Sequence, residues 1–313
     1  MDKVLEFLLP PAKSTIAGQV DGLFIFILAV SAVLLVGISF AIIYFSWKYK
    51  RRSEQDTTPV ITHNTKLEVA WSVIPLILVM IVFGWGFTGY MNMRTVPTDA
   101  YEIRVVGKSW LWEFHYENGT VSVNELHVPA NRPVNLVMSS NDVIHSFYIP
   151  DYRVKRDVLP NRYSNVWFEA METGESVIFC TEYCGRAHSN MIATVTAHSE
   201  SDFENWLATA NVIDESLSPV ELGKELIAKN GCNACHSVDG SRMVGPSYKG
   251  SWMAERELED GSVVTVDANY LRESILEPNA KIGSGYDPVM PSYQGLLSDR
   301  EIDAIIEYIK TID

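Results

Sequence analysis

Among 313 residues there are four cysteines, standing as two close pairs, each followed by a histidine within four positions. The first pair lies in Cys180-Thr-Glu-Tyr-Cys184-Gly-Arg-Ala-His188-Ser-Asn-Met191, the second in Cys232-Asn-Ala-Cys235-His236. Paired cysteines in an exported protein first suggest a disulfide, but these neighbours suggest ligation. In the second motif two thiols three positions apart can each form a thioether with one vinyl group of a haem, and the adjacent His236 is carried beneath the iron. A zinc site would want a second such pair and a thioredoxin-like motif a βαβ context; neither is present. The sixth iron ligand should come from the opposite face. Met290, in Val289-Met290-Pro291, is preferred over Met243 and Met253, because Met243 follows His236 by seven residues and would have to wrap the haem edge at once. His/Met ligation leaves no open coordination position, which suits electron transfer and not oxygen chemistry.

In the first motif one Cys, one His and one Met stand at the spacing a single soft metal ion would use, with a second His still to be found. The additional Cys lets two thiolates bridge two such ions. His145, in Asp142-Val-Ile-His145-Ser146-Phe147, sits at a strand start 35 residues before Cys180 and supplies the missing imidazole. A disulfide or a zinc site is the plainer alternative. His63, His115, His127 and His198 lack ligand spacing and read as surface or strand histidines.

Short strands have to bring these residues together. Tyr101–Val106, Trp110–Tyr116, Thr120–Val128, Val134–Ser139, Ser164–Glu169, Ser176–Cys180 and Ile192–His198 are β-branched or aromatic runs with partial alternation. Asn118-Gly119 reads as a two-residue hairpin turn, in preference to its reading as a glycosylation sequon. Many short strands between turns mean a sandwich or barrel. From Ser199 to Ser216 the chain is polar, with one amphipathic piece at Phe203–Leu207, and reads as a closing helix and a linker. Ser218-Pro219-Val220-Glu221 then combines an N-cap, a first-turn proline and a capping box. Ser298 and Glu301 repeat the capping box before a stripe of Ile302, Ile305, Ile306, Ile309 and Ile312. The last hundred residues are expected to be a small α-domain with little strand.

No charged residue occurs from Gly22 to Trp47 or from Val69 to Met93, and each run exceeds the roughly 20 apolar residues that cross a bilayer as a helix. Lys48, Lys50, Arg51 and Arg52 directly follow the first run, so the 48–68 loop is expected on the cytoplasmic side and both chain ends outside. The opening residues lack a basic segment followed at once by a short apolar one, so no cleavable signal peptide is expected, although trimming near the N-terminus stays open. The net charge of −14 divides as +2 over residues 1–96, −7 over 97–213 and −9 over 214–313. The exported part is therefore strongly acidic, which argues against nucleic acid as a partner.

The pattern C-x-E-x-C-x-x-x-H-x-x-M, with His145 upstream, resembles the binuclear copper centre of cytochrome c oxidase subunit II at every ligand position. The resemblance covers about 22–198, both apolar runs included. Cys232–His236, the Gly245-Pro246 turn and the Met290-Pro291 loop resemble a class I cytochrome c, so the whole is similar to subunit II with a fused cytochrome c, as in caa3-type haem–copper oxidases. The resemblance implies that His145 and His188 each bind one copper, that Cys180 and Cys184 bridge both, that Met191 is a weak ligand and that Glu182 offers its backbone carbonyl. It further implies that the Glu182 carboxylate helps hold a magnesium ion shared with the catalytic subunit. Trp110 matches the exposed aromatic through which electrons reach subunit II. Glu68, in Glu68-Val-Ala-Trp71, matches a carboxylate at the cytoplasmic mouth of a proton channel in the partner subunit, or is simply an interfacial helix-start residue.

The expected fold is therefore multi-domain. A two-helix transmembrane hairpin (1–96, helices about 22–47 and 69–93) precedes a cupredoxin-like β-barrel or sandwich with its linker (97–213) and an all-α class I cytochrome c domain (214–313). The expected function is electron input to a membrane haem–copper oxidase, from an external donor protein through haem c and two coppers to subunit I, where oxygen is reduced. The expected location is a bacterial plasma membrane, with both metal domains on the extracytoplasmic face. The same electron-input role in a nitric oxide reductase and a non-redox copper carrier are the alternatives.

Overall fold

A computed structural model of the chain describes residues 8–57, 60–210, 212 and 216–313. The residues that bear on N-terminal processing, 1–7, and part of the linker (211 and 213–215) lie outside the described residues. The chain divides into two compact units, Met1–Thr95 and Val96–Asp313.

The first unit is a pair of long helices, α1 (Ala17–Lys48) and α2 (Thr65–Arg94). Both extend beyond their charge-free runs, because Gln19 and Asp21 at one end and Thr65-Lys66-Leu67-Glu68 at the other continue the helix. At 32 and 30 residues they measure about 45 Å or more at 1.5 Å per residue. They pack antiparallel: Phe26 lies against Trp85 at 5.8 Å between ring centroids, and Asn92 Nδ2 donates to Gln19 Oε1 at 3.3 Å. Their outer faces are apolar and open, Val33 and Phe40 among them, which a hydrocarbon surround would cover and water would not. Asn64 caps α2, its side chain accepting from Leu67 N–H, while the Glu68 carboxylate accepts from Asn64 N–H at 3.1 Å.

The second unit begins with two five-stranded sheets packed face to face. The first has the order β3-β2-β1-β5-β8, from strands β1 (Tyr101–Lys108), β2 (Leu111–His115), β3 (Val121–Val123), β5 (Val134–Ser140) and β8 (Ser164–Phe168). The second has the order β4-β10-β9-β6-β7, from β4 (Glu125–Pro129), β6 (His145–Ile149), β7 (Val154–Val158), β9 (Gly174–Cys180) and β10 (Ile192–His198). Trp112, Phe114, Phe147 and Phe168 fill the space between them and are fully buried. The run Thr120–Val128 is not one strand. Asn124 takes φ +58° and breaks it, sending β3 and β4 to different sheets. Strand β7 escaped the sequence pattern because Lys155, Arg156 and Asp157 occupy its middle; it is an edge strand, where charges discourage further pairing.

The turn at Asn118-Gly119 also differs in type. The closing bond runs from Gly119 N–H to the Tyr116 carbonyl, so Glu117 and Asn118 are the central pair, and Gly119, at φ +85°, follows as the residue that needs the left-handed region. This is a type I turn with a glycine bulge rather than a two-residue primed turn. Asn118 instead uses its side chain, accepting from Thr120 N–H and donating to the Leu207 carbonyl. That carbonyl belongs to helix α3 (Glu200–Thr209), which closes the sandwich with Phe203 buried.

The remaining residues form helices α4 (Pro219–Lys229), α5 (Ala268–Leu276) and α6 (Asp299–Ile309). Both capping boxes are present, Ser218 with Glu221 and Ser298 with Glu301. Helices α4 and α6 cross where Gly223 lies against the Ala304 carbonyl, so closely that a Cβ could not be accommodated. The isoleucine stripe ends at Ile309; Ile312 lies past the helix, and its carbonyl accepts from Gly250 N–H. Within this helical domain a small hairpin of β11 (Glu255–Glu257) and β12 (Val263–Thr265) is inserted before α5. Its turn signal, Asp260-Gly261, was hidden in an acidic stretch.

Candidate metal centres

The register of the second sheet sets the first site. Strand β6 begins at His145, β9 ends at Cys180, and Phe147 pairs with Cys180 across the two. The loop after β9 returns to the same end of the sheet, where Cys180 N–H donates to the Met191 carbonyl just before β10. Among the described residues, one group of three metal-ligating side chains brings its ligand atoms within 4.8 Å of one another: His145, Cys180 and Cys184. Cys180 Sγ lies 3.8 Å from Cys184 Sγ, 3.9 Å from His145 Nδ1 and 3.3 Å from the Glu182 carbonyl oxygen. Cys184 Sγ lies 3.5 Å from His188 Nδ1 and 3.8 Å from Met191 Sδ. The six residues expected from the sequence thus converge. The sulfur–sulfur separation is far longer than the ~2.05 Å of a disulfide, and all four cysteines are free. Two thiols between two outward imidazoles are a donor set that fits soft ions held by shared sulfurs.

Electrostatics favour one thiolate here. The Cys184 hydrogen bond, helped by His145 and opposed by burial, holds the Cys180 thiol well below its ordinary value, and that charge pushes Cys184 upward. Burial alone would lower His145, but Asp142 and the Cys180 sulfur raise it to about 9. Asp142 is a residue the sequence reading quoted without assigning a role. Its Oδ1 lies 2.8 Å from His145 Nε2, and its Oδ2 accepts from Ser109 N–H at 2.6 Å. The outer nitrogen of His145 is therefore fixed by a carboxylate, leaving Nδ1 to face the sulfurs, an arrangement typical of metal-ligating histidines. The Asp-x-x-His spacing was the available signal. Close by, a Cβ on Gly107 would stand 3.0 Å from the His145 ring, so β1 can pass the ligand only as glycine.

Trp110 departs from expectation. It is not an exposed aromatic: only 6% of its surface is open, and its indole N–H donates to the Cys184 carbonyl at 3.0 Å. Sequence gave no sign of this, because the covering atoms come from remote parts of the chain. Trp112, Phe114 and Tyr116 are core residues. His127 and His198 do sit in strands, but they meet at 2.8 Å between ring nitrogens, with His127 stacked on Trp206 at 4.0 Å.

The second site is an apolar cleft whose free space, open mouth included, is about 1300 Å³, lined by Cys232, Cys235, His236 and Met290 among others. Met243 lines a separate cleft and Met253 is exposed, so Met290 alone of the three stands in this one. His236 Nδ1 lies 2.7 Å from the Pro246 carbonyl, the imidazole stacks on Tyr248 at 4.8 Å, and a Cβ on Gly245 would stand 2.5 Å from the ring. The ring is thus fixed with Nε2 available. Burial lowers its basicity, which keeps it a neutral ligand, and pushes the Cys232 thiol up to about 11. The residues fit a haem attached through both thiols.

Residues 3–87 match the family described as cytochrome c oxidase subunit II, transmembrane domain; 120–198 match its periplasmic domain; and 220–313 match cytochrome c. Cytochrome c oxidase subunit 2 of Alkalihalophilus pseudofirmus is 30% identical over 300 residues, covering 92% of this chain and 84% of the relative. The chain belongs to the cytochrome c oxidase subunit 2 family. The subunit of that name from a Synechocystis species is 28% identical over 64% of this chain and 75% of its own length. The solved periplasmic domain of subunit II from Bradyrhizobium japonicum is 32% identical over 37% of this chain and 96% of its own, with a TM-score of 0.36. The chain is accordingly a subunit of a haem–copper terminal oxidase, associated with other oxidase subunits. Its helices α1 and α2 are membrane spans, and its periplasmic and cytochrome c regions imply copper and haem binding.

Proposed function

We propose that this subunit takes single electrons from an external donor protein onto a covalent haem c and delivers them, through a binuclear copper centre, to the catalytic subunit that reduces oxygen to water. The reading rests chiefly on the 3.8 Å separation of the Cys180 and Cys184 sulfurs, with His145 Nδ1 beside one and His188 Nδ1 beside the other. When bound, the haem and the sulfur-bridged coppers supply the one-electron chemistry, the copper pair sharing a single charge between two metals. Everything else is done by the chain. Cys232 and Cys235 would anchor the haem, Pro246 and Tyr248 aim His236 toward it, and Met290 would be the second ligand. His145, His188, Cys180 and Cys184 would hold the coppers, with Met191 and the Glu182 carbonyl beside them.

The exposed Glu182 side chain is assigned to a magnesium ion shared with the catalytic subunit. Residues 97–213 are the copper domain with its linker and 214–313 the cytochrome c domain, both on the extracytoplasmic face of a bacterial plasma membrane. Glu68 is assigned to the cytoplasmic mouth of a proton channel in the catalytic subunit; its capping bond to Asn64 N–H shows that it also has a purely structural use. Optical and EPR spectra of the purified complex test the reading. A c-type pyridine haemochrome with a seven-line copper signal is expected, and a four-line copper signal would refute the two-copper centre.

A further inference from the structure

Strand β2 is buried on both sides. Trp112 and Phe114 point into the sandwich, where Trp112 meets Phe147 edge-on at 5.3 Å. Leu111 and Glu113 alternate with them and so face outward, yet each is only 5% exposed. Lys108 and His115 of the same sheet hold the Glu113 carboxylate, whereas the cover on Leu111 comes from the cytochrome domain. Ser109 and Leu111 line the same cleft as Cys232, Cys235, His236 and Met290. Gly231, in the left-handed region at φ +69°, sits where a Cβ would stand 2.9 Å from Val123 of the neighbouring strand β3. At the rim, Arg186 of the copper loop pairs with Asp287 of the methionine loop at 3.3 Å. The same segment, 109–111, also reaches the copper ligands. Ser109 N–H bonds to Asp142, which bonds to His145; Trp110 N–H bonds to the Cys184 carbonyl.

We propose that the haem cleft is built by both exported domains, with Ser109 and Leu111 as its copper-side lip, so that segment 109–111 fixes the gap electrons cross between haem and copper. The inference rests on the function proposed above and adds a positioning role for Leu111 and for the Arg186–Asp287 pair. Leu111 keeps water from the haem edge; the ion pair sets the register of the methionine loop against the copper loop. An external donor then meets the cytochrome domain's outer surface and not Trp110.

The test uses the intact complex and two readouts, the haem c midpoint potential and the rate of haem-to-copper electron transfer after photoreduction. Leu111→Asn, which wets the lip, should lower the potential, because solvent favours the ferric charge, and slow the transfer tenfold or more; Leu111→Met should restore both. Asp287→Arg should slow the transfer at unchanged potential, and adding Arg186→Asp should recover it. If these variants keep intact haem and copper spectra but show wild-type potential and rate, the shared cleft is wrong. Absence of c-type haem from the unmodified complex would defeat the functional reading and this proposal together.

Discussion

Replacing Asp142 with Asn keeps the side chain's size but removes one of its two acceptor oxygens. In the structure the carboxylate accepts Ser109 N–H at 2.6 Å on Oδ2, while Oδ1 lies 2.6 Å from Val143 N and 2.8 Å from His145 Nε2. An amide has one acceptor oxygen. If it faces His145, its NH2 group points at Ser109 N–H; if it faces Ser109, its NH2 points at the imidazole donor. Either way one donor is left opposed, and the bond that remains to the imidazole is no longer assisted by charge. Hydrogen bonds to charged groups contribute about 1.5–3 kcal/mol, which corresponds to a loss of roughly 10- to 100-fold in metal affinity, the range found for outer partners of ligating histidines. Competition between the purified copper domain in its full chain and a chelator of known affinity measures this directly. An affinity within about twofold of wild type would refute the claim that Asp142 fixes His145 for ligation.

Three further outcomes follow from the geometry. Gly245→Ala places a methyl group 2.5 Å from the His236 ring and should abolish or strongly reduce c-type haem, read as the pyridine haemochrome per chain. Gly223→Val forces apart α4 and α6 at the Ala304 carbonyl and should cost at least about 1–3 kcal/mol, seen as a lower melting midpoint of the cytochrome domain with the copper domain unchanged. His198 has its basicity lowered by burial and by the neighbouring His127. The folded state therefore binds fewer protons there than the unfolded chain, so stability is full above the ordinary histidine value and falls as pH drops through it. Denaturant melts at pH 7.5 and 5.5 should show that loss, and His198→Gln should shrink it; an equal loss in the variant would assign the pH dependence elsewhere.

The ligand sets were legible because metal chemistry constrains residue type and local spacing at once. Cys180 through Met191 spans a single loop, and Cys232 through His236 is nearly contiguous, so little folding has to be known to see them. His145 needed one further step, the placement of a strand start. The errors came where a tertiary neighbour decides. Nothing in Val154–Val158 marks a strand, because an edge strand can carry Lys155, Arg156 and Asp157 at its centre. The Asn118-Gly119 pair signals a turn but not which residue takes positive φ. Trp110 looked like an open aromatic because the backbone it packs against, Cys184–Gly185, is 74 or more residues away.

Contact between the copper and cytochrome domains also resolves an apparent conflict of charge. The two exported domains carry −7 and −9 and would repel as separate proteins. A short tether replaces encounter with an effective concentration on the order of millimolar, so long-range attraction is not needed, and what holds the pair has to act at contact. Burying one leucine such as Leu111 contributes roughly 1.5–3 kcal/mol, and Val123 against Gly231 adds to it. The Arg186–Asp287 pair, with side chains 72% and 55% exposed, contributes at most about 1 kcal/mol. Apolar contact therefore supplies the adhesion, and the Arg186–Asp287 pair can only choose among nearby registers. Its position is the useful one for that task, because it joins the loop bearing His188 to the loop bearing Met290. Under the proposed function, a docking of this kind would turn that face of the copper domain into an internal wall and leave the far side of the cytochrome domain to meet a donor.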